Sequence, residues 1–386
     1  MRIAMYTDSF YPYLSGVSTA VLVLAQSLAT AGHQVFIQAP RPKIAADTTF
    51  LHPNITLNYV ASMDIKIYPD FRVGTGLPLS MRKIRDFNPD IIHVHTPLSV
   101  GLEGTLVAKA LGVPAVQTFH TYYMTEDAMK ILGIHNQSLA QLVVKGGWQL
   151  HRAISRFYDV TTVPSQFVAD ELLQHDTPGK IIVCPNMLDD ANYSPHPNFG
   201  EYTQNFLHVG RLSPEKRVNL LLDSFALVHA KNPETKLIII GDGPDRNDLF
   251  AQSIELGIAP FVTWFGKIPS EELIRRHLFH HGDVFVTQSR YETFGYTTLE
   301  ALAHQLPVIA LACRGTTELV GDAGILIPDT EDEAIAVDGI AEAMLAITKM
   351  KLSPLRKKAY AQAQNYRPAV LLPKYIAMYE FAQQHH

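Results

Sequence analysis

The sequence predicts an α/β chain of two doubly wound domains, each built on a parallel sheet. Three observations carry this prediction. Short strand-like runs alternate with helical stretches from end to end. The runs are nearly continuous in Val, Ile and Leu, as in strands covered on both faces. A segment at 186–204, broken by Pro195, Pro197, Asn198 and Gly200, divides the 386 residues into two such series. That length gives each domain enough chain to bury its own core.

In the first series Arg2 to Thr7 reads as strand, Val17 to Ala31 as an apolar helix and Gln34 to Gln38 as the next strand. Strands follow at Asp90 to Val94, Pro114 to Phe119, Asp159 to Val163 and Lys180 to Cys184. Between them lie a helix over Leu102 to Leu111 and a long one ending near Phe157. The second series has strands at Phe206 to Val209, Leu237 to Ile240, Val262 to Phe265, Val284 to Thr287 and Pro307 to Leu311, with helices such as Val218 to Lys231 between them. Residues 1–187 form the first expected domain and 188–365 the second. Helices from Ser353 onward are expected to end in one, about 366–386, that crosses back to brace the first domain.

Composition narrows the function. Hydrophobic content of 47% and charge of 18% are those of a globular chain, and no apolar run reaches the roughly 18–20 residues of a membrane span. The opening Met1-Arg2-Ile3-Ala4-Met5 starts directly as a strand, so no signal peptide is expected. Cys184 and Cys313 are far apart and need not pair, which fits a reducing cytoplasm. A net charge of -5 argues against nucleic acid as partner. The charge is uneven: up to Pro185 there are fourteen Lys and Arg against thirteen Asp and Glu, so the remainder carries the acidity. Basic residues bunch at Lys66, Arg72, Arg82, Lys83 and Arg85, and again at Lys130, Lys145, Arg152 and Arg156, where no acid intervenes between Ala128 and Tyr158.

The richest stretch runs from Val284 to Ala303: an apolar strand, a turn at Gly295, and a helix opened by Thr297 and Thr298. Glu292 lies in the loop before the turn and Glu300 in the first turns of the helix. A glycine lets backbone approach a ligand closely, and a helix N-terminus offers N–H groups to a phosphate. Glu300 suits a sugar hydroxyl, and equally it suits a carboxylate that complements the helix end. Arg211 and Lys216 follow the strand Phe206 to Val209, where ligands bind in open α/β domains. They read either as a diphosphate clamp or as an ordinary surface loop.

His120 ends the strand Pro114 to Phe119, and Gly16 turns the loop Phe10-Tyr11-Pro12-Tyr13-Leu14-Ser15 into the first helix; each is open to a structural reading. His93 and His95 alternate along one strand as satisfied core histidines do, with no carboxylate at metal-ligand spacing. There is no Gly-x-Gly-x-x-Gly, no P-loop and no Asp-x-Asp at a strand end, which counts against a nicotinamide enzyme and against a divalent metal.

Ser15-Gly16-Val17, Gly210-Arg211-Leu212 with Lys216, Gly241-Asp242-Gly243-Pro244, and Glu292-Thr293-Phe294-Gly295 closed by Glu300 together resemble the retaining glycosyltransferases of family 4, over nearly the whole chain. The resemblance implies the GT-B fold, two Rossmann-like domains facing one another across a cleft. It further implies a nucleotide-sugar donor, usually UDP-linked; with no metal-ligand motif in the sequence, no cofactor is expected. By that resemblance Arg211 and Lys216 hold the diphosphate, Glu300 the ribose, and Glu292 with the amides near Phe294, Gly295 and Tyr296 the sugar. Gly16 reaches the phosphates, His120 lies near sugar and acceptor, and uracil contacts backbone near Ile268.

Tyr6-Thr7-Asp8-Ser9-Phe10-Tyr11-Pro12, His93-Val94-His95-Thr96 and Thr118-Phe119-His120-Thr121-Tyr122-Tyr123 are most similar to bacterial 1,2-diacylglycerol 3-alpha-glucosyltransferases. Thr293 departs from the glycine many relatives carry, which bears on sugar preference.

What the resemblance implies is transfer of glucose from UDP-glucose to a diacylglycerol-type lipid by a peripheral enzyme on the cytoplasmic membrane face. Lys130 to Arg156, with Ile131, Leu132, Leu139, Leu142, Val143, Val144 and Trp148 among its cations, has the composition of a helix lying on an anionic surface, or of an ordinary bundle helix with a solvated charged face and its apolar side in the core. A soluble sugar or inositol acceptor, a UDP-sugar epimerase and a nucleotide-sugar sensor are the alternatives, and oligomeric state is not legible.

Overall fold

The computed structural model describes residues 1–13, 15–44, 47–64, 72–74, 81–120, 124–126, 129, 133–134, 136–194, 202 and 204–386. Leu14, Lys66, Thr121, Tyr122, Tyr123, Lys130, Ile131, Leu132, Pro195, Pro197, Asn198 and Gly200, singled out above, lie outside them. The chain divides into two compact units, residues 1–187 with 368–386, and residues 188–367.

In the first unit, in chain order, come β1 (Arg2–Tyr6), α1 (Gly16–Thr30), β2 (Gln34–Pro40), β3 (Ile55–Val60), β4 (Ser62–Asp64), β5 (Arg72–Gly74), α2 (Met81–Phe87), β6 (Ile91–Val94), α3 (Ser99–Leu111), β7 (Ala115–Thr118), α4 (Gln137–Ser155), β8 (Val160–Val163), α5 (Gln166–Gln174) and β9 (Lys180–Val183). Seven strands pair in the order β3-β2-β1-β6-β7-β8-β9, while β4 and β5 form a separate antiparallel pair. Strand β1 therefore lies between β2 and β6, and the connections reverse direction there.

The helix α3 begins at Ser99, a turn earlier than Leu102. Its first N–H groups find an acceptor remote in sequence. Asp8, just past β1, accepts from Val100 N at 2.8 Å, Gly101 N at 3.2 Å, Ser99 Oγ at 2.8 Å and Thr96 Oγ1 at 2.7 Å. A carboxylate at a helix N-terminus satisfies donors that have no partner within the helix. The packing is tight enough to require glycine, since a Cβ on Gly101 would stand 1.5 Å from Thr96 O.

The second unit holds β10 (Asn205–Val209), α6 (Val218–Lys231), β11 (Lys236–Ile240), α7 (Arg246–Glu255), β12 (Val262–Gly266), α8 (Ser270–Arg275), β13 (Val284–Thr287), α9 (Tyr296–Ala303), β14 (Val308–Ala312), α10 (Arg314–Val320), β15 (Gly324–Pro328), α11 (Glu333–Thr348) and α12 (Leu352–Gln364). Its sheet runs β12-β11-β10-β13-β14-β15, all parallel: the third, second, first, fourth, fifth and sixth strands of the unit, which is the Rossmann order. One face buries Leu221, Phe225 and Met344 from α6 and α11, and the other buries Leu299, Leu302, Ala359 and Ala363 from α9 and α12. Each such Leu or Phe contributes about 1.5–3 kcal/mol by leaving water.

The last helix, α13 (Pro368–Gln384), belongs to the first unit. It starts at Pro368 rather than 366, because proline has no N–H to satisfy and its fixed φ suits a first helical position. Tyr379 reaches His93 Nδ1 at 2.8 Å, and Tyr375 donates to Cys184 O at 3.2 Å. Both tyrosines are fully covered. The expected return of the chain's end to the first domain is therefore realised in side-chain contacts.

Candidate functional site

In an open parallel sheet, the loops leaving the two strands on either side of the reversal diverge and leave a crevice at their carboxyl ends. In the second unit those strands are β10 and β13. Arg211 and Lys216 follow β10; Glu292, Phe294 and Gly295 follow β13. The sheet order thus places at one crevice these residues, which the resemblance grouped as one site.

Lys216 closes a one-turn 3-10 helix, Pro214–Lys216, whose tightness forces Arg217 into the left-handed region at φ 50°. Gln288 Nε2, from the end of β13, donates to Lys216 O at 2.6 Å and ties the turn to the neighbouring strand. From this fixed backbone Lys216 Nζ donates to Glu292 Oε1. Burial alone would raise the Glu292 carboxyl. The Lys216 ammonium, its hydrogen bond, and Ser289 and His208 more than offset that and hold it below the usual carboxylate value. Glu292 is therefore an anion at neutral pH.

Gly295 is the N-cap of α9 at φ 92° and ψ 68°, a left-handed conformation that an L side chain resists. The helix thus starts at Tyr296, not at Thr297, and no side chain caps its first turn. Its first-turn donors are therefore left without a side-chain cap, the state in which a helix N-terminus can meet an anion. Phe294 is buried, packed edge-on against Tyr296 at 5.3 Å and Tyr366 at 5.6 Å, so its ring is core and only its backbone is left for a ligand.

Glu300 is half-buried, and burial pushes its carboxyl up to about 7 from 4.5. The neighbouring Tyr296 hydroxyl is pushed far above its ordinary value by burial and by Glu300. Two carboxylates eight residues apart thus have opposite character, one pinned as an anion and one near its midpoint. Ile268, two residues past β12, packs partly on the core shared with Leu299.

The motif Gly241-Asp242-Gly243 supports the site from behind. A Cβ on Gly241 would stand 1.8 Å from Gly210 O, and one on Gly243 2.1 Å from Leu212 O. Leu212 N donates to Asp242 O at 3.0 Å. These glycines let the loop after β11 lie against the loop that carries Arg211.

Gly16 and His120 belong to the first unit. Gly16 does not make the turn expected of it: it is the first residue of α1, absent from the positive-φ glycines, and the turn ends at Ser15, whose Oγ accepts from Ser18 N at 3.1 Å in a capping box. His120 is buried two residues beyond β7 and meets His95, its Nε2 lying 3.0 Å from His95 Nδ1. Burial drives His120 down to about 3, so it is neutral at physiological pH. His93 is a satisfied core histidine, as expected, held by Tyr379 and by Thr118 Oγ1 at 2.7 Å. His95 is not, since its Nε2 is buried and has no partner among the described residues.

Residues that sequence reading missed are Gln288, His208 and Arg290. Gln288 is fully buried, and the signal for it was a polar Gln-Ser pair directly after an apolar strand. His208 Nδ1 contacts Val286 O at 3.0 Å, fixing its ring between β10 and β13. Arg290 pairs with Asp329 in two bonds of 2.7 and 2.9 Å and anchors the loop before Glu292. Among the described residues no group of three or more His, Cys, Asp or Glu is placed to hold a metal.

Two parallel-sheet units, with a carboxylate, a lysine and an uncapped helix at the switch point of the second, are the architecture of the GT-B glycosyltransferases. The pneumococcal O-GlcNAc transferase structure shares that fold at a TM-score of 0.74 and 14% identity, over 99% of both chains. Residues 14–192 match the family described as Glycosyltransferase Family 4, and residues 190–365 match Glycosyl transferases group 1. The chain is 30% identical to the alpha-monoglucosyldiacylglycerol synthase of Streptococcus pneumoniae, over 95% of this chain and 83% of that one. It is 28% identical to a GDP-mannose-dependent alpha-mannosyltransferase of Mycobacterium tuberculosis, over 88% and 87%. This chain belongs to glycosyltransferase family 4 and is a glycosyltransferase of the GT-B fold.

Proposed function

We propose that the chain transfers glucose from UDP-glucose to the hydroxyl of a diacylglycerol-type lipid, with retention of the α configuration, at an anionic membrane surface. The similarity to the pneumococcal alpha-monoglucosyldiacylglycerol synthase over nearly the full chain supports glucose as the sugar and diacylglycerol as the acceptor class. In this reading Arg211, Lys216 and the amides at the start of α9 meet the diphosphate, and Glu300 takes the ribose hydroxyls. Glu292 addresses the sugar, Gly16 lies near the phosphates, and His120 stands beside the transferred sugar.

As the bond from the anomeric carbon to the phosphate oxygen breaks, its electron pair stays on the diphosphate, where Lys216 and Arg211 offset the growing charge. The acceptor oxygen bonds to the anomeric carbon on the face just vacated, and its proton passes to the departing phosphate oxygen. That accounts for retention with no protein base and no covalent intermediate. Charge on the diphosphate is met by side chains and a helix end, so activity should persist in EDTA. UDP release from UDP-glucose, assayed with diacylglycerol vesicles in EDTA, tests donor, acceptor and metal independence together. Turnover only after Mg²⁺ is restored contradicts the metal-free mechanism. Turnover with GDP-mannose alone, which the mycobacterial likeness favours, or with soluble sugars alone, replaces the donor or the acceptor.

The observation that carries the membrane reading is the exposed side of α4. Leu139, Leu142, Val143 and Leu150 are all exposed, the second at 67% and the last at 61%. Their spacing, with Gly146 between, places them on one helical face. Lys145, Arg152 and Arg156 lie along one edge of that stripe. Trp148 and Val144, grouped above with the surface-facing residues, instead pack inward against Val163, Val168 and Leu172. The helix is thus apolar on two opposite sides, one of them bare. No helix among the described residues is long and apolar enough to cross a membrane.

Three cations near an anionic surface contribute up to about 3 kcal/mol, enough for reversible attachment. Flotation with anionic vesicles should fall with salt and on replacing Lys145, Arg152 and Arg156 by Gln, and fall further with Leu142→Gln and Leu150→Gln. Equal recovery with neutral and anionic vesicles would count against the anionic surface, and indifference to the leucine changes against α4 as the contact.

A further inference from the structure

The sheet of the first unit ends at this edge in three histidines. His93 lies within β6, His95 just beyond it, and His120 just beyond the neighbouring β7, which pairs with β6 in parallel register. Their rings form a row: His93 and His95 are tilted at 34° with centroids 3.9 Å apart, and His95 and His120 lie edge to edge, 21° from parallel, with centroids 5.3 Å apart. The inner end is fixed, because both nitrogens of His93 are occupied by Tyr379 and Thr118.

His95 differs from His93 in what it bonds. Its Nδ1 lies 3.0 Å from His120 Nε2. Its Nε2 is buried with no partner among the described residues. A phenylalanine would fill this volume without burying an unpartnered nitrogen, so packing alone is a poor reason for histidine here.

Burial keeps both His95 and His120 neutral, so each ring has one N–H and one lone pair. Two nitrogens facing each other at hydrogen-bond distance need one hydrogen between them: two would clash and none would leave lone pairs opposed. The tautomers of the two rings are therefore coupled: the bond holds the plane of the His120 ring, and the tautomer of His95 decides which nitrogen of His120 carries hydrogen.

We propose that His95 is a positioning residue for sugar transfer, holding His120 in one ring orientation and one tautomer through their Nδ1 to Nε2 hydrogen bond. This rests on the reading that His120 stands beside the transferred sugar.

The test compares His95→Asn, His95→Gln and His95→Phe in the full-length chain, with His120→Ala alongside, measuring kcat, KM for UDP-glucose and melting temperature. The asparagine amide places a polar atom the same number of bonds from Cα as Nδ1, whereas glutamine places one at the distance of Nε2. The Asn variant should keep kcat within about threefold of the parent, while Gln and Phe lose about 10- to 100-fold with KM little changed, the scale of a misaligned group. Three outcomes overturn the proposal while His120→Ala is impaired: Phe retaining full kcat, equal losses in all three variants whatever their melting temperatures, or losses confined to KM. An unimpaired His120→Ala instead removes the role of His120 on which the proposal rests.

Discussion

A Lys216→Ala enzyme is expected to lose about 10² to 10³ in kcat, the cost of removing one preorganised donor from a developing oxyanion. The side chain starts from a backbone held by Gln288 and is already aligned by Glu292, so little reorganisation is needed when charge builds on the diphosphate. The same geometry offers a rival explanation, in which Lys216 matters only because it keeps Glu292 ionised. The two separate in a double-mutant cycle with Glu292→Gln. If Lys216 serves the diphosphate, its removal still costs most of that factor when residue 292 is already an uncharged amide. If it serves only Glu292, the double variant is no slower than Glu292→Gln alone. Turnover of Lys216→Ala within threefold of the parent rules out both roles. The fold should survive, because the pair sits at a loop edge and each side chain keeps about a fifth to a quarter of its surface exposed.

That pair also marks how far the sequence could be read. Lys216 and Glu292, seventy-six residues apart, were each picked out by their position after an apolar strand. Nothing local to either says that they touch. Their meeting follows from β10 and β13 being neighbours, and strand order is settled by packing between remote segments. The strands named in advance were those with unbroken Val, Ile and Leu, such as Leu237 to Ile240. Of the edge strands of the two parallel sheets, β3 and β15 escaped notice, while β9 and β12 did not. In β15 the apolar run is only three residues long between Gly324 and Pro328, and Gly324 is there because a Cβ would stand 1.8 Å from Val308 O. In β3 the apolar residues alternate with Thr56 and Asn58, and among the described residues the strand pairs along β2 alone.

Side-chain partnerships were the least legible. His93 and His95 are two residues apart and looked equivalent, as if on one strand, although β6 ends at Val94. One is saturated by Tyr379, nearly three hundred residues away, and the other is committed to His120. In α4 the composition signalled an amphipathic helix, but which apolar side is core depends on where β8 and α5 lie. That placement takes Trp148 and Val144 inward and leaves Leu142 and Leu150 in water.

Binding of UDP-glucose without acceptor is expected to tighten as pH rises through about 7, because Glu300 is half protonated there. Burial raises this carboxyl, so between 4.5 and about 7 the folded chain holds a proton that the unfolded chain has released. Stability of the ligand-free protein therefore falls as pH climbs through that window. A ribose diol that donates two hydrogen bonds favours the ionised carboxylate, so binding expels the proton. Affinity at pH 6 should then be about tenfold weaker than at pH 8, since one pH unit below the midpoint about one carboxyl in ten is ionised. UDP-glucose is the suitable probe, because its diphosphate is esterified at both ends and does not itself titrate in this range. Calorimetry in buffers of different ionisation heat should register about half a proton released at pH 7, a consequence of linkage. Glu300→Gln should bind weakly and without this slope, and Glu300→Ala should lose roughly 2 kcal/mol or more, the cost of stranding ribose hydroxyls in a half-buried site. Glu292→Gln should retain the slope, because Lys216 already keeps that carboxylate ionised across the range. A Glu300→Gln variant with the parent's pH dependence would place the titrating group elsewhere and take the ribose away from Glu300.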